Sequence, residues 1–199
     1  MEGAARLNGA GVLVENGPVA ADNIIIATGG RPAVPPIPGI KTVAYLTSTT
    51  LLELETLPRS LIVIGGGPIG VEMAQAHRRL GSAVTIVEMA RMLPNDDPEL
   101  TAVVQDCLAR EGIDIRTGVT AESVASAAGG VAVTLDSGDL VRGSHILVAA
   151  GRKANLEDLN LEAARVDYSP KGITVDRGLR TSNRKIYAIG DVTGGLQFT

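Results

Sequence analysis

The chain has 199 residues, of which 45% are hydrophobic and 20% charged, as expected for a folded globular protein rather than a disordered one. Its formal net charge of −4 offers no basic surface for nucleic acid or for an anionic membrane. Apolar runs such as residues 61–64 and 146–150 are too short to span a bilayer, and Met1–Arg6 lacks the apolar core of a signal peptide. We therefore expect a cytoplasmic protein with no membrane partner and no nucleic-acid partner.

The N-terminal flank contains extended segments but no helical pattern. Residues 11–14 and 24–27 are apolar stretches typical of short strands. The segment Arg31–Gly39 then carries four prolines, which exclude a helix and indicate a stiff, extended connection.

The clearest unit along the chain is a strand–helix–strand pattern. Residues 61–64 form a continuous apolar run, as in a strand buried on both faces of a parallel sheet. A glycine-rich turn follows, then a predicted helix over residues 68–80 with Gly81 as its C-terminal cap. Residues 83–87 form the second predicted strand, which ends at Glu88.

A second helix is predicted to begin at Asp97-Pro98-Glu99, with an N-cap carboxylate and proline in the first helical position. Gly112 is predicted to close it. Apolar residues recur along this helix at the spacing of a buried stripe: Leu100, Val103, Val104, Cys107 and Leu108. This pattern favours Cys107, the only cysteine of the chain, as a small core residue over a reactive thiol. His77 and His145 have no ligand-spaced partners, so packing roles are favoured over a metal site.

The remaining segments complete an α/β pattern. After a predicted strand at residues 113–116, residues 124–127, 131–135 and 140–142 resemble an antiparallel meander, and residues 145–150 form another buried strand ending in Gly151. Residues 154–185 are loop-rich, and residues 186–189 form a last short strand.

Neither flank is large enough to bury a core alone. We therefore predict that the two flanks are halves of one domain into which a Rossmann-like domain, with a parallel sheet and a β-meander, is inserted. The predicted boundaries are residues 1–46 for the first piece, 47–153 for the inserted domain and 154–199 for the second piece.

The turn after the first buried strand carries a dinucleotide-binding pattern. Residues Gly65-Gly66-Gly67-Pro68-Ile69-Gly70 match G-x-G-x-x-G, between a strand and a helix. Gly65 allows the tight turn, Gly67 allows the backbone to approach the pyrophosphate, and Gly70 allows close helix–strand packing. The exposed amides and the positive end of the helix would hold the phosphates.

Glu88 lies 18 residues after Gly70, where this pattern requires an acid to accept hydrogen bonds from the adenosine ribose. A carboxylate there repels a 2′-phosphate, whereas Arg91, three residues on, would weaken that preference. The sequence favours NAD(H) over NADP(H).

Four ordered motifs make the chain similar to a known family. Together they resemble the class I pyridine nucleotide–disulfide oxidoreductases, flavoproteins that include dihydrolipoamide dehydrogenase, mercuric reductase and glutathione reductase. Within this family the resemblance is strongest to the dihydrolipoamide dehydrogenase and mercuric reductase branches. The motifs lie at residues 25–32, 65–72, 150–152 and 187–192.

The resemblance implies a role for several residues. Thr28, Gly29 and Gly30 match the first crossing between an FAD-binding and an NAD-binding domain, although the family often has serine where Gly30 stands. Gly151 belongs to the second crossing, and Asp191 matches the acid that binds the FAD ribityl chain.

Further positions concern the nicotinamide and adenine sides of the dinucleotide site. Glu72 matches the glutamate that faces the nicotinamide in the family, and Ala121 aligns with a position lining the adenine side. Pro68 stands where some members have a tyrosine gate, so we expect no such gate.

The implied activity is hydride transfer from NAD(P)H to FAD and then electron transfer to a disulfide or another acceptor, in the service of cell redox homeostasis. In the family, the redox cysteine pair and first FAD-binding motif lie upstream, and a dimerisation domain lies downstream. We expect a homodimeric parent enzyme, with this chain inactive by itself. The alternatives are a nucleotide-binding module without redox catalysis and an NADH oxidase-type flavoprotein without a redox disulfide.

Overall fold

A computed structural model describes residues 4–9 and 11–195 of the chain. In chain order the strands are β1 Arg6–Leu7, β2 Gly11–Val14, β3 Gly17–Ala20, β4 Ile24–Ile26, β5 Gly30–Pro32, β6 Tyr45–Leu46, β7 Ser60–Ile64, β8 Ala83–Glu88, β9 Asp114–Thr117, β10 Ala121–Ala127, β11 Gly130–Leu135, β12 Leu140–Gly143, β13 His145–Val148, β14 Arg152–Ala154, β15 Tyr168–Ser169, β16 Gly172–Ile173 and β17 Ile186–Ala188. The α-helices are α1 Pro68–Leu80 and α2 Pro98–Arg110, and short 3-10 helices cover Ile40–Thr42, Thr50–Glu53 and Gly190–Thr193.

The chain divides into two compact units. Residues 32–151 form one of them, which we call the central unit. The described parts of residues 1–31 and 152–198 form the other, which we call the discontinuous unit. The mixed α/β class predicted from the sequence is confirmed. Among the described residues no helix is long and apolar enough to cross a membrane.

The central unit is built on a parallel sheet of five strands in the order β6–β13–β7–β8–β9. The middle strand β7 pairs along its length with both neighbours, from Leu61 opposite His145 and Val84 to Ile64 opposite Val148 and Val87. The predicted strand–helix–strand unit is therefore confirmed as β7–α1–β8. The predicted meander is also confirmed, as antiparallel β10, β11 and β12.

Strand β7 is buried on both faces, which explains its continuous apolar run. Because side chains alternate along a strand, Ile62 and Ile64 pack on one face with apolar residues of the meander, including Val133. Leu61 and Val63 pack on the other face with Ala74 of α1 and Leu108 of α2, among others. The helices thus cover one side of the sheet and the meander covers the other.

Helix α1 ends as the sequence predicts. Gly81 adopts a left-handed backbone conformation (φ 115°), and its N–H donates to the carbonyls of Arg78 and His77. His77 is 9% exposed, and its Nδ1 lies 2.8 Å from the Met73 carbonyl oxygen one turn earlier. The packing role predicted for this histidine is confirmed.

Helix α2 begins as predicted but buries a different face. The Asp97 carboxylate accepts the Glu99 N–H at 2.8 Å, which confirms the N-cap. The predicted buried stripe is confirmed at Leu108 but wrong for Leu100 and Val103, which are 69% and 66% exposed. The helix turns Thr101 toward the sheet together with Leu108.

Gly112 closes the helix as predicted: it follows the cap residue Glu111, has a left-handed backbone conformation (φ 85°), and its N–H donates to the Ala109 carbonyl at 2.9 Å.

Glu111 links the two helices, and its environment predicts how stability depends on pH. Its carboxylate accepts hydrogen bonds from Arg79, Gln75 and the half-buried Cys107 thiol. Chiefly because of the Arg79 guanidinium, the pKa of the Glu111 carboxyl is lowered to about 2. A lowered carboxyl pKa stabilises the fold above the unfolded-state pKa, and this contribution disappears as the pH falls toward 2.

We expect Arg79→Gln to raise the pKa of Glu111 toward the ordinary glutamate value of about 4.3. The free energy of unfolding of the variant should then fall less between pH 5 and pH 2 than that of the wild type. Carboxyl NMR titration and urea unfolding measure the two effects. Arg110→Gln is the matched control, because Arg110 donates to the Asp106 carbonyl and not to Glu111. A Glu111 pKa unchanged by Arg79→Gln would contradict this account.

The discontinuous unit combines short strands around its own apolar core. Strand β17 pairs in parallel with β4, β14 pairs with β5, and β1, β2 and β3 form an antiparallel sheet. Leu161, Ile173 and Ile186 are among the buried residues of this core. The predicted strands at residues 11–14, 24–27 and 186–189 are confirmed to within one residue at their ends.

Candidate functional site

Three of the four glycines of the Gly65–Gly70 loop are those of the G-x-G-x-x-G pattern, and they meet three different surroundings. Gly65 has φ 112°, and a Cβ there would lie 2.5 Å from the Ala149 carbonyl oxygen. A Cβ on Gly70 would lie 2.0 Å from the Gly65 carbonyl oxygen. A Cβ on Gly67 would meet no atom within 4 Å. Two glycines are therefore required by the fold itself, whereas Gly67 leaves open space above its backbone.

The loop leads directly into the N-terminus of α1. Pro68 occupies the first helical turn and has no N–H to satisfy, and the Val71 N–H donates to the Gly67 carbonyl at 3.0 Å. The first turn contains no acidic side chain, and no side chain caps it. The N–H groups of Ile69 and Gly70 lie where a helix has no carbonyl of its own to bind. This end of α1 therefore has the donors and the positive potential to hold an anion.

Glu88 ends β8 beside this loop and is fixed by two backbone amides. Its Oε2 accepts the Gly66 N–H at 2.7 Å, and its Oε1 accepts the Ala90 N–H at 2.8 Å. A carboxylate has about four lone-pair positions, so each oxygen retains one for a further donor. The structure thus brings the two sequence-predicted parts, the loop and the acid, into direct contact.

The segment after β8 holds the loop from the other side, which sequence reasoning did not find. The Leu93 N–H donates to the Gly66 carbonyl at 2.8 Å, and Leu93 has a left-handed backbone conformation (φ 47°). Met92 is 2% exposed, and its sulfur would lie 2.6 Å from a Cβ on Gly66. Both the backbone N–H and the backbone carbonyl of Gly66 therefore form hydrogen bonds with residues 88–93.

The Arg91 guanidinium forms hydrogen bonds within the connection between β8 and α2. Its Nη2 donates to the carbonyls of Pro94 and Asp96 at 2.7 and 2.8 Å, and its Nη1 donates to the Thr101 hydroxyl at 3.3 Å. Arg91 therefore orders the connection between β8 and α2.

The residues matched to the flavin side lie together in the discontinuous unit. Asp191, in the Gly190–Thr193 turn, accepts a hydrogen bond from Arg152 Nε at 2.8 Å, with their side chains only 20% and 17% exposed. Arg152 Nη2 also donates to the Gly30 carbonyl at 3.0 Å. A Cβ on Gly30 would lie 3.3 Å from Asp191 Oδ2 and 3.1 Å from the Lys153 carbonyl. This crowding gives a physical reason for glycine where the family often has serine.

Thr28 and Gly29 are fixed by Asn155. The Thr28 hydroxyl donates to the Asn155 carbonyl, and the Asn155 side-chain amide donates to the Thr28 carbonyl, both at 2.9 Å. The Asn155 N–H donates to the Gly29 carbonyl at 3.0 Å. Three hydrogen bonds thus join the segment that precedes β5 to the segment that follows β14.

The other candidate residues have different surroundings. Glu72 is exposed on α1, and Gly151 (φ 114°) leaves space for a Cβ, with no atom within 4 Å. Ala121, the first residue of meander strand β10, is 8% exposed and belongs to an apolar core, so it offers little surface to a ligand. No group of three His, Cys, Asp or Glu side chains among the described residues could hold a metal ion.

With this geometry in place, comparison with known proteins decides the family. The family described as Pyridine nucleotide-disulphide oxidoreductase matches residues 2–199. The chain belongs to this family. FAD and a pyridine nucleotide are the cofactors that membership in the pyridine nucleotide-disulphide oxidoreductases implies, and the sequence-based identification is confirmed.

The relatives of this oxidoreductase chain include mercuric reductases. That of Staphylococcus aureus is 40% identical over 185 residues, covering 90% of this chain and 34% of the relative. That of Lysinibacillus sphaericus is 41% identical over 204 residues, covering 100% of this chain and 37% of the relative. The chain therefore spans about a third of the length of these curated relatives.

Among solved structures, the chain is similar to the HOCl-induced flavoprotein disulfide reductase RclA from Escherichia coli. The TM-score is 0.92 at 34% sequence identity, and the match covers 100% of this chain and 46% of that chain. The Rossmann-like arrangement predicted from the sequence is thus also that of a flavoprotein disulfide reductase.

Proposed function

We propose that the central unit, residues 32–151, is an NAD(P)H-binding domain in which the Gly65–Gly70 loop and Glu88 hold the dinucleotide. The observation that carries this proposal is the direct contact between loop and acid, in which the Gly66 N–H donates to Glu88 at 2.7 Å. The open space above Gly67 and the uncapped N-terminus of α1 are where a pyrophosphate would lie.

We further propose a preference for NAD(H) over NADP(H). Glu88 is already fixed by two amides and would accept the adenosine ribose hydroxyls with its remaining lone pairs. Its negative charge would repel a 2′-phosphate. Arg91 supports this preference, because three of its N–H groups are directed at the loop and Thr101 rather than toward Glu88.

We propose that the discontinuous unit, made of the described parts of residues 1–31 and 152–198, corresponds to two pieces of an FAD-binding domain. The flavin nucleotide would lie against Thr28, Gly29, Gly30 and Asp191, and Arg152 keeps the Asp191 carboxylate oriented. Bound FAD would supply a two-electron acceptor for a hydride from the nicotinamide. By the family resemblance, Glu72 would face the nicotinamide from α1.

For the whole protein we propose an oxidoreductase that takes two electrons from NAD(P)H and delivers them through FAD to a disulfide or another acceptor. We also propose that the parent enzyme is a homodimer in the cytoplasm. The curated relatives, which are mercuric reductases, and the similar flavoprotein disulfide reductase support this class of reaction.

Dinucleotide titrations test the binding proposal. We expect the dissociation constant of NADH to be lower than that of NADPH by a factor of about ten or more, because a hydrogen bond to a charged group contributes about 1.5–3 kcal/mol. Glu88→Gln should weaken NADH binding and narrow the difference from NADPH. Nucleotide fluorescence measures both affinities.

Glu122→Gln is the matched control, because Glu122 is an exposed acid on β10 with no bond to the loop. A melting temperature recorded for each variant separates loss of binding from loss of fold. Equal or tighter NADPH binding by the wild type would contradict the proposed preference, and an unchanged affinity ratio in Glu88→Gln would contradict the role of Glu88.

A further inference from the structure

The central unit has a depression at the end of the sheet where β7 begins. Its volume is about 310 Å³, in the size range of sites for small ligands. Three segments line it. They are the start of β7 with Arg59 and Ser60, the β10–β11 turn at Gly129, and the end of β12 with Arg142 and Gly143. The Gly65–Gly70 loop follows the opposite end of β7, so this depression is separate from the proposed dinucleotide site.

Two positively charged side chains line the depression, and neither is neutralised. Across the described part of the chain, the guanidinium groups of Arg59 and Arg142 have no hydrogen bond or ion-pair partner, unlike that of Arg79. No acidic residue lines the depression. Arg59 Nη2 lies 3.9 Å from the position that a Cβ on Gly129 would take, so its head group lies over the β10–β11 turn. In a chain of net charge −4, two unpaired arginines facing one depression form a local positive site.

The floor of the depression is held rigidly by two serines. The Ser144 hydroxyl donates to the Ser60 carbonyl at 2.7 Å and accepts the Ser60 N–H at 3.0 Å. The Ser144 N–H donates to the Ser60 hydroxyl at 2.8 Å. These bonds join the starts of β7 and β13. The remaining lining includes small residues such as Ala128 and Gly129.

We propose that this depression is a phosphate-binding site, with Arg59 and Arg142 as the two ligand-binding side chains. Guanidinium groups match the oxygen geometry of phosphate with paired N–H donors, and a rigid floor lowers the entropy lost on binding. The ligand chemistry is a phosphate dianion, either inorganic phosphate or a small phosphomonoester. The site does not depend on the proposed dinucleotide binding, so either proposal can fail without the other.

Amide NMR titration of the chain at low ionic strength tests the site and locates it. Inorganic phosphate is expected to cause saturable shifts of the Gly129, Gly143 and Ser144 amides, and ribose 5-phosphate in a parallel titration distinguishes a phosphomonoester from the free anion. In the double variant Arg59→Gln/Arg142→Gln the affinity is expected to fall about tenfold or more, because two charge-assisted contacts are lost. Arg177→Gln is the matched control, since Arg177 is an exposed arginine of the discontinuous unit.

The titration separates this site from the loop at α1. Saturable shifts at Gly129 and Gly143 that disappear in the double variant, with NADH affinity and melting temperature retained, would support the site. Shifts confined to the amides of residues 67–71 would assign phosphate binding to the dinucleotide loop alone and overturn the proposal. Shifts at Gly129 and Gly143 that persist in the double variant would also overturn it, since the arginines would then not bind the anion.

Discussion

Gly70→Ala is expected to lower the free energy of unfolding by about 1–3 kcal/mol, the range for overpacking a well-packed core. The added Cβ would lie 2.0 Å from the Gly65 carbonyl oxygen. That oxygen belongs to the backbone and cannot rotate away, so α1 has to move off β7. Urea unfolding followed by circular dichroism measures the change, with a lower midpoint at an unchanged slope as the expected result.

The matched control for this stability loss is an alanine in the same loop. At Gly67 the backbone angle φ is −75°, which alanine adopts readily, and a Cβ there meets no atom within 4 Å. The unfolding free energy of Gly67→Ala should therefore stay within about 0.5 kcal/mol of the wild-type value. Equal unfolding midpoints for Gly70→Ala and the wild type would show that the close helix–strand contact does not constrain this position.

Gly67→Ala is expected to have its large effect on binding instead. If the pyrophosphate lies against the Gly67 backbone, a methyl group there occupies the space that the phosphate oxygens need. We expect the NADH dissociation constant to rise about tenfold or more, equivalent to about 1.4 kcal/mol or more of binding free energy. Nucleotide fluorescence titration measures it on a variant whose fold is intact.

Gly195→Ala provides a second glycine control, because a Cβ there meets nothing closer than 3.8 Å and the residue lies in the discontinuous unit. Its affinity for NADH should equal that of the wild type. An NADH affinity unchanged by Gly67→Ala would place the pyrophosphate elsewhere and remove the main support for the dinucleotide proposal. Together, the Gly70 and Gly67 variants separate the folding role of the loop from its binding role.

Local patterns predicted most of the central unit. The apolar run before Gly65 predicted β7, the glycine at position 81 predicted the end of α1, and Asp97 predicted the start of α2. Each of these signals depends on a backbone preference or on burial of a short segment, so it can be read without knowing what lies nearby. The same reasoning predicted the loop and Glu88 as parts of one site.

The face that α2 buries could not be read in this way. Leu100 and Val103 have the spacing of a buried stripe but lie exposed, whereas Thr101 is buried and its hydroxyl donates to the Pro98 carbonyl. The rotation of a helix about its axis is decided by how it packs on the sheet. A satisfied hydroxyl can therefore occupy the core side, which the apolar pattern does not indicate.

The contacts that hold the backbone of Gly66 likewise cannot be predicted from the sequence. Met92 and Leu93 reach it through a loop with a left-handed residue, and nothing in their residue types indicates that contact. The sequence also does not indicate the hydrogen-bond partners of Arg91, which lie in the segment from Pro94 to Thr101.

The residues alone indicate that a strand buried on both faces leads through a glycine loop into a helix, and that an acid ends the next strand. Side-chain alternation along β7 made two covered faces necessary. Which layer covers each face depends on how the whole chain folds: the two helices lie on the side of Leu61 and the meander on the side of Ile62. The alternation of a strand is local, but the choice of covering layer depends on contacts between segments far apart in the chain. Those same contacts place the Glu88 carboxylate on the Gly66 amide.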